Sequence, residues 1–539
     1  MFFEREVKKY DRMEFSGISG DVKISIVRPD GEIDEVHPFI YQPVRFEYDC
    51  HGYESICDDG EKEWRARYTP ELCGEYTVNG ESFYVTESKN KGYISVGEKD
   101  SRYFVYSDGT TYFPLGINMA FPTAYLMSNG TEFGVSNETV YIGLRQYRYW
   151  FDRCSENGVN MVRLWIGHMY FTPDTEETYK FDYKKFSLLD TIVDMARERN
   201  IKLKLTIEQF RYFKYDDEEV ALPAFRKRLY NDGKPCLDCR EWLESEKWQK
   251  AWLYKLNELS KRYNGDTTLF TVELWNEMNC FDDVSGWNKK KLPEVKKLFS
   301  KHLVTNSYGS LDCEETKDLY RNFCWEETDF VQVHRYIDQG APYEICNYPV
   351  EMMKDAVTEL MCFNKPVLVA ETGAVNDAHS GVFRFCSTDN RGIIFADTVY
   401  TPAFCGSCGI GNIWHWDNRY VESKNLYKMY KPVAKVFENI DFQKEIFEIK
   451  DFSDDNVHML ALCGKHTQVL YIRNKKDTWQ NVLRDLNEAE IIKKIKLPID
   501  AKNVEIISIW DEETAYLKNN ELIDLKYGVF IKVKALDEV

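Results

Sequence analysis

An α/β architecture, a (β/α)8 TIM barrel flanked by N-terminal and C-terminal β-sandwich domains, is predicted by three features of this 539-residue sequence. From about residue 93 to 435, segments with helical spacing alternate with short apolar runs, which is the rhythm of parallel βαβ units. Before residue 88 and after about 440 that rhythm gives way to short strand-like runs separated by turn residues. Glu277 and Glu371 each close an apolar run, the place where a parallel barrel gathers its functional groups. Chain length agrees with roughly three domains, placed here at 1–90, 91–438 and 439–539.

The elements follow in order. Val22–Val27 alternates in polarity, Asp30-Gly31 and Asp59-Gly60 supply turns, and Glu75–Val78 runs into Asn79-Gly80, a β-sandwich pattern. The charged stretch Glu87–Gly92 reads as a linker. Eight barrel strands are then expected: Tyr112–Asn118, Asn160–Trp165, Ile201–Ile207, Thr268–Trp275, His302–Thr305, Phe330–His334, Pro366–Ala370 and Gly411–Trp416. Between them, Phe186, Leu189, Val193 and Ala196 recur at helical spacing up to a stop at Asn200. Trp248, Trp252, Leu256, Leu259 and Tyr263 do the same up to Asn264-Gly265. Val469–Ile472, Val504–Trp510 and Gly528–Val533 supply strands of the C-terminal sandwich.

Composition narrows the function classes. A net charge of −19 and a pI near 5.1 repel a phosphate backbone, and the chain has no basic stripe, so no nucleic-acid partner is expected. There is no run of eighteen apolar residues, and the charged segment Met1–Lys9 lacks the apolar core of a signal peptide; the expectations are no membrane span and a cytoplasmic protein. The fifteen cysteines, an odd number, read as reduced and buried. The pairs Cys236/Cys239 and Cys405/Cys408 lie too far apart in sequence for a zinc ribbon, and His168, His334 and His415 form no clustered ligand motif. Neither a metal nor an organic cofactor is expected.

Glu277 and Glu371 are the catalytic candidates. Hydrolysing a glycosidic bond with retention takes one carboxyl to protonate the leaving oxygen and one carboxylate to attack the anomeric carbon, about 5–5.5 Å apart. The ends of the fourth and seventh strands face each other across a barrel mouth, so residues distant in sequence can converge on one bond. The alternative for each glutamate is a helix cap or a lysine partner, which the strand-end position disfavours.

Leu274-Trp275-Asn276-Glu277 resembles the strand-four signature of clan A glycoside hydrolases, family 5 above all, whose Asn-Glu pair carries the acid/base. Ala370-Glu371-Thr372-Gly373 resembles the strand-seven nucleophile segment. Arg163 resembles the clan's strand-two arginine, His334 and Tyr336 its strand-six pair, and Trp416 its strand-eight sugar platform. The first 90 residues, with Glu63–Pro70 and Cys73–Tyr76, look like the immunoglobulin-like domain that precedes such barrels. The resemblance implies a retaining β-glycoside hydrolase with Glu277 as acid/base and Glu371 as nucleophile. It would act on oligosaccharides or small glycosides; endo-acting β-mannanase or β-glucanase activity is the alternative, and a non-catalytic carbohydrate-binding barrel is the rival class.

Each further residue carries two readings. Arg163 can hold the nucleophile ionised or form a buried ion pair with Glu273. Asn276 can bond the sugar 2-hydroxyl, and Tyr336 can orient Glu371. His334 is either a site residue or a satisfied core histidine. Trp416, nearer the strand's C-terminal end, is assigned to the sugar, and Trp414 to the core. Asn118, Trp165, His168, Glu208 and Asp417 are weaker rim candidates. Where the clan often has histidine or asparagine on the third strand's rim, this chain has Glu208 and Gln209.

Overall fold

The computed structural model describes residues 1–126, 139–175, 179–209, 239–278, 284–323, 325–379, 381–498 and 504–534. Its centre is a parallel barrel. Strands β1 (Gly116–Asn118), β2 (Met161–Trp165), β3 (Lys202–Gln209), β4 (Leu269–Asn276) and β5 (Leu303–Thr305) pair in sequence order, and β6 (Val331–His334) pairs with β7 (Val367–Glu371). Three seams carry a single bridge each: Ser310 with His334, Ile413 with Thr372, and Ile413 with Ile117. The expected strand Gly411–Trp416 is short: Asn412 and Trp414 exchange backbone hydrogen bonds with Val369 and Thr372, Ile413 accepts from Asn118, and pairing does not continue to Trp416.

The helices form where the apolar spacing places them. Helix Tyr183–Glu198 buries Phe186, Leu189, Val193 and Ala196, and the chain turns at Asn200, which takes a left-handed φ of 54°. Helix Glu246–Tyr263 is capped by Ser245, whose side chain accepts from the Trp248 N–H, and it buries all five predicted positions. The expected first strand Tyr112–Asn118 is split. Thr111–Tyr112 joins a small antiparallel sheet with Phe104–Tyr106 and Ile94–Val96, and the barrel strand starts only at Gly116. Pro114 between them has no N–H to give a ladder. The small sheet plugs the N-terminal end of the barrel, with Phe104 5.1 Å from Phe270 and 5.5 Å from Phe330.

Both flanking regions fold as β-sheets. The first carries a five-stranded and a three-stranded sheet around Phe15, Ile26, Tyr76, Phe83 and Val85. It docks on the barrel helices through buried Asp190, which receives hydrogen bonds from Arg67 at 2.7 Å, Arg262 at 3.2 Å and Tyr263 at 2.6 Å. The last region pairs Glu448–Asp451, Val457–Cys463, Thr467–Asn474, Gly528–Lys534 and Val504–Ser508 in one sheet and Ile492–Lys496, Glu521–Leu525 and Tyr516–Lys518 in a second. One face of the larger sheet packs on the smaller; the other presses Tyr471 and Phe530 against Phe404 of the barrel wall. No described helix is long and apolar enough to cross a membrane. Among the described residues Cys154, Cys346, Cys386, Cys405 and Cys408 are buried free thiols, as expected, but Cys50, Cys73 and Cys362 are exposed and Cys57, Cys313 and Cys463 half-buried, because they lie at or near strand ends and in turns rather than in the core; Cys236 lies outside the described residues.

Candidate active site

The polar residues of the barrel interior come from alternation along the strands. In β3, Leu203, Leu205 and Ile207 face the helices, which turns Lys204 and Thr206 inward. Arg163 of β2 lies at the centre. Its Nε and Nη2 donate to Glu273 at 2.8 and 3.0 Å, Nε also to Thr206 at 3.1 Å, Nη2 to Asn276 at 2.6 Å, Nη1 to Asn118 at 3.2 Å and to Glu371. Burial opposes the charge on Glu273, but Arg163 and Lys204 beside it hold its carboxyl well below the usual range. Gln332 donates to Glu273 at 2.9 Å and accepts from Lys204, whose amine burial lowers to about 8. Arg163 is thus one half of a buried ion pair with Glu273 and also donates to Glu371.

Above this floor the two glutamates meet. One carboxylate oxygen of Glu277, one of Glu371 and a ring nitrogen of His334 lie within 4.8 Å of one another. Nδ1 of His334 is 2.9 Å from Glu277 Oε1 and 3.6 Å from Glu371 Oε2. The Tyr336 hydroxyl donates to Glu371 Oε2 at 2.5 Å. Burial lifts the Tyr336 phenol well above its ordinary range, so it stays a donor. Burial also pushes the His334 imidazole down to about 4, which leaves it neutral at pH 7. Glu371 is almost fully buried, while Glu277, with 18% of its side chain exposed, stands at the opening. Nδ2 of Asn276 and Nε2 of His334 are buried without a partner among the described residues.

Three rim assignments need correction. Trp416 is fully buried, packed against Trp150 and Phe121, whereas Trp414 keeps 8% exposure with its ring 5.0 Å from Trp165. The Trp416 N–H folds back onto the Trp414 carbonyl at 2.8 Å, a tight turn that breaks the strand parity on which the assignment rested. Asn118 is not open to a sugar: its amide donates to the carbonyls of Ala370, Asn412 and Ile413, its oxygen accepts from Arg163, and it pins the barrel seam under that residue. Glu208 is locked to Lys255, which also bonds Asp174 at 2.9 Å. Trp165 is 2% exposed, and its indole N–H is buried without a partner among the described residues. His168 stacks on Phe121 at 4.4 Å, and Asp417 accepts from Arg419 at 2.8 Å.

Lys204, Gln332 and Phe121 were missed by the sequence reading; the inward parity of Lys204 with Thr206 was the available signal for the first. Glu277, His334 and Glu371 have a donor set that could hold a metal ion, as do Asp312, Asp338 and His379. At the first cluster, Glu371 already accepts from Arg163 and Tyr336 on its two oxygens, and a divalent ion would sit against a buried guanidinium. The arrangement suits a pair of carboxyls acting on one bond.

The family model Cellulase (glycosyl hydrolase family 5) matches residues 126–397, half of the chain. Mannan endo-1,4-beta-mannosidase A of Emericella nidulans is 28% identical over 246 residues, 44% of this chain and 60% of that protein, so the match spans less than two thirds of that relative. Mannan endo-1,4-beta-mannosidase 5 of Arabidopsis thaliana is 24% identical over 348 residues, 54% of this chain and 78% of that protein. A solved structure from Bacteroides vulgatus is similar in fold along 99% of this chain and 100% of its own, with a TM-score of 0.54 at 15% identity.

Proposed function

This chain belongs to glycosyl hydrolase family 5, and from that premise we propose that it hydrolyses β-1,4-linked mannosyl oligosaccharides with retention of anomeric configuration. The observation that carries the reading is the approach of Glu277 and Glu371, each with a carboxylate oxygen within 4.8 Å of the other's, a proximity that favours the close pair used for double displacement over the wider gap that admits a water. The mannosyl part is supported by the curated relatives, which are mannan endo-1,4-beta-mannosidases.

The environments divide the roles. Glu371 accepts from a guanidinium and a phenol, donors suited to an anion that attacks the anomeric carbon. Glu277 meets a neutral imidazole and stands nearer to solvent, a setting in which it can carry a proton to the glycosidic oxygen as that bond breaks. In the second step Glu277 takes a proton from water, the oxygen attacks the same carbon, and Glu371 leaves. The free Asn276 amide is placed to bond the 2-hydroxyl, a contact that tightens as charge develops on the sugar ring.

The test is incubation with manno-oligosaccharides and with a β-glucan oligosaccharide series, following reducing ends and the anomer first released by NMR. Release of the β-anomer from mannosides supports the proposal. Release of the α-anomer overturns the double displacement, and cleavage confined to glucosides overturns the substrate.

A further inference from the structure

The acid/base glutamate proposed above sits on unusual backbone. Glu277 has φ +58°, a left-handed conformation that an L-residue with a side chain rarely adopts. The conformation ends β4 and turns the carboxyl toward the mouth. Regular pairing between β4 and β5 stops at Glu273 and Thr305. Glu273 and Asn276 both reach Arg163, and on its other side β4 keeps regular register with β3 through Asn276, so the departure from the strand falls at Glu277.

Two fully buried residues just beyond β5 replace the missing ladder. Asn306 Oδ1 accepts from the Trp275 N–H at 2.8 Å, and its amide reaches Asn288 at 2.6 Å. The Ser307 hydroxyl accepts from the Glu277 N–H at 3.0 Å and lies 3.3 Å from the Trp275 carbonyl, to which it donates. The Ser307 carbonyl accepts from the Met278 N–H at 2.9 Å. Ser307 thus bonds the backbone on both sides of the left-handed residue and contacts neither carboxylate.

We propose that Ser307 is a positioning residue for acid/base catalysis, its hydroxyl holding Glu277 in the left-handed conformation that aims the carboxyl at the glycosidic oxygen. The inference rests on the reading of Glu277 as acid/base. Loss of the hydroxyl then weakens proton delivery to the departing oxygen and spares the attack by Glu371. The effect depends on how much the leaving group needs the proton: a phenolate does, a dinitrophenolate does not.

The experiment compares kcat/KM of the full chain, S307A, S307T and E277A on phenyl and 2,4-dinitrophenyl β-mannobiosides, with thermal unfolding of each. For S307A we expect a loss of about tenfold or more on the phenyl substrate and less than about threefold on the dinitrophenyl one, with S307T closer to the parent. Equal losses on both substrates, or none, overturn the proposal. E277A separates the two readings: if it too loses both substrates equally, Glu277 is not the acid/base, whereas a split in E277A without one in S307A removes Ser307 alone. A crystal structure of S307A needs no substrate. Glu277 is expected to leave positive φ, and finding it unmoved also overturns the proposal.

Discussion

Arg163 grips Glu273 with two hydrogen bonds, 2.8 and 3.0 Å long, at the buried floor of the site, and the same guanidinium reaches up to Glu371. Breaking a buried pair by removing one partner leaves the other charge unpaired, which destabilises by about 3–5 kcal/mol. E273Q is expected to lose stability of that order in chemical denaturation, with activity falling as Arg163 moves. R163K should lose activity by more than about a hundredfold, because an ammonium cannot serve Glu273, Glu371, Asn276 and Asn118 at once. An R163K variant with full kcat would refute the bridging role.

Tyr336 touches Glu371 through a single hydroxyl, so Y336F isolates one bond. A hydrogen bond to a charged group contributes about 1.5–3 kcal/mol. The expected outcome is a fall of roughly 10- to 100-fold in kcat with little change in unfolding temperature, read from steady-state kinetics and calorimetry. A Y336F enzyme as fast as the parent would show that the bond does no work in the reaction.

The two strand-eight tryptophans separate by burial. W416A opens a cavity among Trp150, Phe121 and Trp414 and is expected to destabilise by about 3–5 kcal/mol. W414A, at the rim, should raise KM for manno-oligosaccharides severalfold with a much smaller stability loss. The reverse pattern would restore the platform to Trp416.

Acid should weaken the fold through its buried histidines. Burial pushes His302 and His334 down to about 4 and His415 to about 3, so in the native state they stay neutral where an unfolded histidine, near 6.5, has gained its proton. With more protons bound to the unfolded chain, stability falls as pH drops from about 6.5 to about 4. Each such group contributes up to about 1.4 kcal/mol per pH unit across that window and nothing further below its folded value. Urea denaturation between pH 7 and 4.5 reads the slope. H302Q should reduce it by close to one proton; an unchanged slope would mean that His302 titrates alike in both states.

Much of the barrel was legible because its signals are local. Strand-length apolar runs ending in Asn276-Glu277 and at Glu371, and helices spaced by Phe186 to Ala196 and Trp248 to Tyr263, are short-range patterns, and the structure reproduces them. The eighth strand is shorter than its aromatic run suggests: Asn412 and Trp414 hydrogen-bond Val369 and Thr372 on the β7 side and Ile413 bridges both neighbours, but the chain turns back at Trp416.

The sequence by itself determined the fold class, the strand ends and the identity of the two converging glutamates, because periodicity fixes which residues end a strand and the parallel topology fixes which end is the mouth. Only the tertiary structure decided that Trp416 is fully buried while Trp414 keeps 8% exposure, that Asn118 serves the barrel seam, and that the Ser307 hydroxyl accepts from the Glu277 N–H. Those outcomes depend on tight turns and broken alternation where distant segments meet. A side chain's direction there is set by partners up to hundreds of residues away, as with Asn118 and Ile413, and no local pattern records it.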